Sequence, residues 1–185
     1  MSGHLAIVLP GRGYGALGPA IRLPRLAVEQ SGARVVEIEY PAVPDDDDPE
    51  SWARLYASAS EQVGAAISAA RPSRVTFIAK SLGTIVLANM ALAVPVPAAA
   101  VWLTPIFGRA DVRDGAVARG FPSLLVAGEA DTFHSPARHE EVASAVQARS
   151  LILPRADHLL EVPGDVMATV DGFRLLSETV LSFAR

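Results

Sequence analysis

A serine hydroxyl attacks a carbonyl carbon only when a base takes its proton, and an imidazole serves best when a carboxylate fixes its ring. The chain supplies these three residue types in three comparable places. Ser81, Asp131 and His158 each come shortly after a short apolar run. Ser81 sits in Ala79-Lys80-Ser81-Leu82-Gly83, between the run 75–79 and an apolar helical stretch. That is the context of a nucleophile elbow, where a tight strand-to-helix turn holds a serine proud of a sheet. The G-x-S-x-G pattern is met except at its first position, where alanine, still small, replaces glycine. An S-x-G after a strand also occurs as an ordinary turn, so the pentapeptide gains its weight from its partners. Asp131 lies in Gly128-Glu129-Ala130-Asp131, and His158 in Pro154-Arg155-Ala156-Asp157-His158. Asp131 follows Ser81 by 50 residues and His158 follows Asp131 by 27. At about 30 residues per strand-helix-strand unit, one strand intervenes in the first gap and none in the second.

The elements that must position these residues are legible as an alternation. Apolar runs at 5–9, 34–38, 75–79, 99–103, 123–127 and 150–153 are rich in Val, Ile, Leu or aromatics and bounded by Pro, Gly or charge. They read as buried strands. Helical stretches lie between them at 17–31, 51–70, 82–93, 136–147 and 165–183. Strands alternating with helices give a parallel sheet covered on both faces, a three-layer α/β sandwich. Ligands bind such sheets outside the carboxyl ends of the strands, where Ser81, Asp131 and His158 all fall. Asp48-Pro49-Glu50 supplies a cap, a first-turn proline and a carboxylate at a positive helix end, and Ser135-Pro136 opens another helix in the same way.

Composition narrows the function. Of 185 residues, half are apolar and 19% charged, which suits one folded domain over 1–185 rather than a disordered chain. The absence of cysteine excludes disulfides, thiolate metal sites and cysteine nucleophiles. The net charge of −4, with no basic patch, argues against nucleic acid as a partner. The apolar run at 5–9 is too short for a signal peptide, and no stretch reaches the length of a membrane span, so a cytoplasmic protein without a membrane partner is expected. The acidic run 45–48 lacks the glycine and spaced ligands of a calcium loop and reads as a solvated lead into a helix.

On these residues the chain resembles the α/β-hydrolase superfamily, over nearly its whole length. Leu124-Leu125-Val126-Ala127-Gly128-Glu129-Ala130-Asp131 is similar to the acid-bearing strand and loop of that fold, and Asp157-His158-Leu159-Leu160-Glu161 to its histidine loop. The triad order Ser, Asp, His is the one the fold uses. The resemblance implies Ser81 as nucleophile, His158 as general base and Asp131 as orienting acid. Six strands imply a minimal version lacking the first two strands and the cap, with sheet order 2-1-3-4-5-6. The chain resembles the small dienelactone-hydrolase-like members, although serine stands here where true dienelactone hydrolases carry cysteine. Acyl transfer needs donors for the developing oxyanion. The expected pair is the amide of Leu82, directly after the nucleophile, and the amide of Arg12 in the loop Pro10-Gly11-Arg12-Gly13-Tyr14-Gly15, with Gly13 as the alternative. That loop matches neither phosphate-binding glycine pattern.

Rivals can be set beside each assignment. Glu129 reads as a loop carboxylate, and Asp157 is too close in the chain to bend onto the His158 ring. His4 precedes the first strand at the opposite edge of the sheet. His134 reads as a surface loop residue and His139 as part of a solvated helix face. No histidine pair has metal-ligand spacing with a carboxylate nearby, so neither metal nor cofactor is expected. The interval 104–122 has room for a loop or one short helix but not for a lid, which predicts an open site. Tyr14, Pro105 and Phe107 are candidate walls of an acyl pocket, and Trp102 is either a wall or core. Arg12 and Lys80 read as solvated basic side chains, or as an attraction for a carboxylate-bearing substrate. The expectation is a serine hydrolase acting on a small ester, thioester or related acyl bond, with a homodimer partner able to supply a missing wall. The alternative is a non-catalytic binding or scaffold module on the same fold, which would have no need of all three triad residues.

Overall fold

A computed structural model describes residues 3–185. Six strands, β1 (His4–Leu9), β2 (Arg34–Glu37), β3 (Arg74–Lys80), β4 (Ala98–Leu103), β5 (Ser123–Gly128) and β6 (Arg149–Leu153), form one sheet in the order β2-β1-β3-β4-β5-β6. Every pairing is parallel. Six helices complete the layers: α1 (Pro19–Gln30), α2 (Pro49–Ala70), α3 (Leu82–Asn89), α4 (Ala110–Arg119), α5 (Pro136–Ala145) and α6 (Val166–Phe183).

Alternation along each strand divides the core. Leu5, Ile7 and Leu9 join α2, α3, α4 and α5 on one face, with Phe77, Trp102 and Leu125. Ala6 and Val8 join α1 and α6 on the other, with Ile78, Val101, Leu124 and Val126. Burial on both faces is why the inner strands read as unbroken apolar runs. The edge strands β2 and β6 are shorter and largely exposed, as their arginines and serine suggest.

One interval left open by the sequence is settled, and one helix ends early. Of the loop or one short helix allowed in 104–122, the structure has the helix, α4, in which only Val112 and Ala116 are buried and Gly115 lets it approach α3, where a Cβ would lie 2.5 Å from the Ala88 carbonyl oxygen. Helix α3 stops at Asn89, although 82–93 was expected. The Arg119 guanidinium donates to the carbonyls of Leu87, Ala88 and Met90, and Asn89 Nδ2 bonds back to the Ile85 carbonyl. These bonds satisfy the last carbonyls that a longer helix would have used. The acidic run behaves as read: Asp48 caps α2 by accepting from the Glu50 amide at 2.9 Å. Ser135 begins α5 with Pro136 but makes no side-chain cap bond.

One glycine fixes how closely α3 approaches the sheet. A Cβ on Gly83 would lie 2.0 Å from the Leu9 carbonyl oxygen, a backbone atom with nowhere to go. Gly83→Ala is therefore expected to destabilise the fold by about 3 kcal/mol or more, measured by urea denaturation. A loss under 1 kcal/mol would show that α3 can move away from β1. Ala79, at the first position of the pattern, is an ordinary β3 residue paired with Leu9 and Trp102, so its methyl group is accommodated.

Candidate active site

The strand ends supply the site. Ser81 follows β3 with φ 49° and ψ −109°, a conformation that costs a non-glycine residue roughly 1–3 kcal/mol. The turn is held from both sides. The Ser81 amide donates to the Leu103 carbonyl at the end of β4 (3.0 Å), and its carbonyl accepts from the Thr84 amide (2.8 Å) and hydroxyl (2.6 Å). Asp131 stands in the loop after β5 and is almost fully buried. His158 stands in the loop after β6. A Cβ on Gly128 would lie 2.2 Å from the Ala156 carbonyl, so glycine lets the histidine loop settle on the end of β5.

The structure brings these three residues into one hydrogen-bonded chain. His158 Nδ1 lies 2.8 Å from Asp131 Oδ2, and His158 Nε2 lies 2.9 Å from Ser81 Oγ. The chemistry of the groups assigns the tautomer. An ionised carboxylate only accepts, so Nδ1 carries the proton and Nε2 is left to accept from the serine hydroxyl. Burial pushes the Asp131 carboxyl up. Hydrogen bonds from His158 and from the Phe133 amide, with the nearby charges of His158 and Lys80, outweigh it and hold the group below its usual value. The Phe133 ring meets the imidazole edge-on, 5.0 Å between centroids.

The rival carboxylates have other tasks. Glu129 Oε2 accepts from the Arg155 amide (3.0 Å), and Asp157 Oδ1 accepts from the Leu159 (2.8 Å) and Glu161 (3.1 Å) amides, so both shape the histidine loop. His4 opens β1 at the opposite edge and bonds Thr76. His134 lies outside the cleft, 5.3 Å from the His139 ring. His139 is not on a solvated face. It is buried against Phe107 and bonds Ser150, and desolvation lowers it to about 4. Among the described residues, no group of three or more His, Cys, Asp or Glu side chains could hold a metal ion, and no helix is long and apolar enough to cross a membrane.

Above Ser81 opens a cleft of about 490 Å³, within the size range of small-molecule sites. Leu82 is the first residue of α3, so its amide belongs to the unsatisfied donors of a helix N-terminus. Arg12 and Gly13 occupy a tight turn closed by paired bonds between Gly11 and Tyr14 (3.1 and 3.4 Å). Arg12 lines the cleft together with Ser81 and Leu82, whereas Gly13 does not.

The expected walls are not the walls found. Tyr14 lies outside the cleft, its hydroxyl accepting from the Ala20 amide at 3.0 Å at the start of α1. Pro105 and Phe107 are buried, Phe107 within the core beneath α5. The chain turns at Thr104 (φ 45°), and Ile106, between the two, lines the cleft instead. Trp102 is core, its indole N–H donating to Ser123 Oγ. The apolar lining comes from Trp52, Ile85, Ile106 and Phe133, and its rim from two ion pairs. Arg12 pairs with Asp46 at 2.6 Å, both side chains well exposed. Arg109 forks onto Asp111 and lies 5.0 Å from the Trp52 ring. Asp46 lies in the loop after β2, where the strand-end rule that found Ser81 directs attention, whereas Trp52 sits near the start of α2 and reads from sequence as part of its apolar face. A separate cleft of about 370 Å³ beside α6 contains none of the three chemistry-bearing residues.

The protein has the α/β-hydrolase fold in a minimal, six-stranded form. No protein-family model and no curated protein sequence matches the chain. Solved structures do. An α/β serine hydrolase without a lid from Xanthomonas campestris superposes with a TM-score of 0.70 at 17% identity, covering 99% of this chain and 83% of its own. An α/β serine hydrolase homologue from Coxiella burnetii gives 0.73 at 12% identity, over 97% and 83%. Est1E from Butyrivibrio proteoclasticus, with ferulic acid bound, gives 0.69 at 12% identity, over 97% and 87%.

Proposed function

We propose that the protein is a serine hydrolase that cleaves a small carboxylic ester, thioester or related acyl bond through an acyl-enzyme. The observation that carries this reading is the unbroken chain Ser81–His158–Asp131, at 2.9 and 2.8 Å, beside an open cleft. Ser81 Oγ bonds to the acyl carbon while its proton passes to His158 Nε2. The tetrahedral oxyanion is bound by the amides of Leu82 and Arg12. As the bond to the leaving group breaks, His158 returns the proton to it. Water then attacks the acyl carbon, its proton goes to His158, and the acyl–Oγ bond breaks with that proton returning to Ser81. Asp131 holds the tautomer and stabilises the imidazolium throughout. Nucleophile, base and donors all come from this chain, so the reaction calls for neither metal nor cofactor. The likeness to proteins described as a serine hydrolase and as an esterase supports the reading. The proposed setting is a single cytoplasmic domain acting on a small acyl substrate.

The acyl group faces an open site. The interval that carries a lid in many hydrolases holds only α4, which packs against α3 in the helical layer. A long acyl chain would leave methylenes in water and forfeit about 0.8 kcal/mol for each one not buried. Across p-nitrophenyl esters, kcat/KM is expected to peak at chains of about two to six carbons, because further carbons add little transition-state binding. The measurement is made at several protein concentrations, since a second copy could supply a wall. A steady rise to long chains, or activation above the solubility limit of the substrate, would refute the open site. Labelling by a fluorophosphonate probe separates catalysis from a binding module on the same fold.

A further inference from the structure

The residue directly before the serine is neither solvated nor near the cleft mouth. Lys80 is fully buried. Its side chain passes under the elbow, where Nζ donates to Thr104 Oγ1 at 3.0 Å and to the backbone carbonyl of His158 at 2.9 Å. The face of the Tyr14 ring lies 4.7 Å from Nζ. One ammonium thus joins the end of β4, the loop after β1 and the loop after β6. A buried ammonium is costly to keep, and it persists where its hydrogen bonds are made. Here one of those bonds ends on the main chain of His158.

We propose that Lys80 is a positioning residue that anchors the backbone of His158 to the end of β4 and thereby aims the imidazole Nε2 at Ser81. The inference rests on the proposed catalytic role of these residues, but the geometry it concerns can be read without activity. Three hydrogen bonds fix the His158 residue, beside the edge-on contact of Phe133: Asp131 and Ser81 hold the ring, and Lys80 holds the main chain behind it. Without Lys80 the loop keeps its own bonds through Glu129 and Asp157, but the His158 main chain loses its direct tie to the lysine beneath the elbow. A displacement of about 1 Å at a reacting group can cost about 10²-fold in rate.

The charge on Lys80 responds to pH. Desolvation lowers it to about 8, against the opposing charges of Asp131 on the loop after β5 and Asp157 on the loop after β6. The other groups against it are Thr104, the Tyr14 ring and His158. Loss of the proton converts both bonds from charge-assisted to neutral ones, which are roughly half as strong.

The test compares wild type, Lys80→Met and Thr104→Val. Lys80→Met keeps the stem and removes all donors; Thr104→Val keeps the shape and removes one acceptor. Each is checked for folding by circular dichroism. The first readout is the low-field proton signal of His158 Nδ1–H, assigned by its absence in Asp131→Asn. The second is the rate of fluorophosphonate labelling from pH 6 to 10. In Lys80→Met the low-field signal should broaden or vanish, and labelling should slow about 10²-fold at saturating probe with little change in probe binding. Wild-type labelling should decline with a midpoint near pH 8, and that decline should be missing from Lys80→Met. Thr104→Val should lie between the two and decides alone if Lys80→Met does not fold. Folded variants with the wild-type signal and rate would overturn the proposal. If wild type itself does not label, the hydrolase reading fails, and the proton signal still reports whether Lys80 positions His158.

Discussion

Ser81→Ala should abolish labelling by a fluorophosphonate and lower turnover by about six orders of magnitude, the scale seen when a triad serine is removed. The argument is one of chemistry, because no neighbouring group can replace Oγ. Thr84, the nearest hydroxyl in the turn, donates to the Ser81 carbonyl and lies fully buried. The fold should survive. The hydroxyl makes one hydrogen bond, to His158, and the backbone bonds that hold the strained turn do not involve it. A change in stability within about 1 kcal/mol is therefore expected by thermal denaturation. Labelling that persists in the variant would mean that another residue is the nucleophile.

Asp131→Asn should cost about 10⁴ in kcat, as in the serine-protease example, with KM little changed. The structure supplies the reason. Asp131 accepts twice, from the Phe133 amide at Oδ1 and from His158 at Oδ2. An asparagine can keep only one acceptor oxygen. If that oxygen stays with the Phe133 amide, the NH2 faces His158 and forces Nδ1 to accept. The ring proton then moves to Nε2, which can no longer take the serine proton. Glu129→Gln and Asp157→Asn leave carbonyl oxygens for the backbone amides they serve, so each should lose less than about tenfold. A larger loss in either than in Asp131→Asn would move the acid to that residue. Steady-state kinetics on one short ester decides between them.

The sequence by itself determined the layout. Burial on both faces writes a strand as an unbroken apolar run, so β1, β3, β4 and β5 were visible, and their order along the chain placed Ser81, Asp131 and His158 at strand ends. Gly83 was visible for the same reason, since its lack of a side chain is a local requirement of the elbow. Whether 104–122 held a loop or one short helix stayed open in the sequence, because α4 is held by packing on α3 rather than by an amphipathic pattern of its own. The tertiary structure alone decided which side chains face the cleft. Between Thr104 and Phe107 the choice depends on one turn with positive φ, which brings Ile106 to the cleft and buries its neighbours. Tyr14 and Lys80 show the same limit. A tyrosine in a glycine-rich loop reads as a pocket wall, and a lysine beside a nucleophile as solvated or as a substrate attractor, when only their types are known. Tyr14 is turned to the start of α1 and onto the Lys80 ammonium, and Lys80 is tied to a carbonyl 78 residues away in the chain, a contact that no local pattern of residues records.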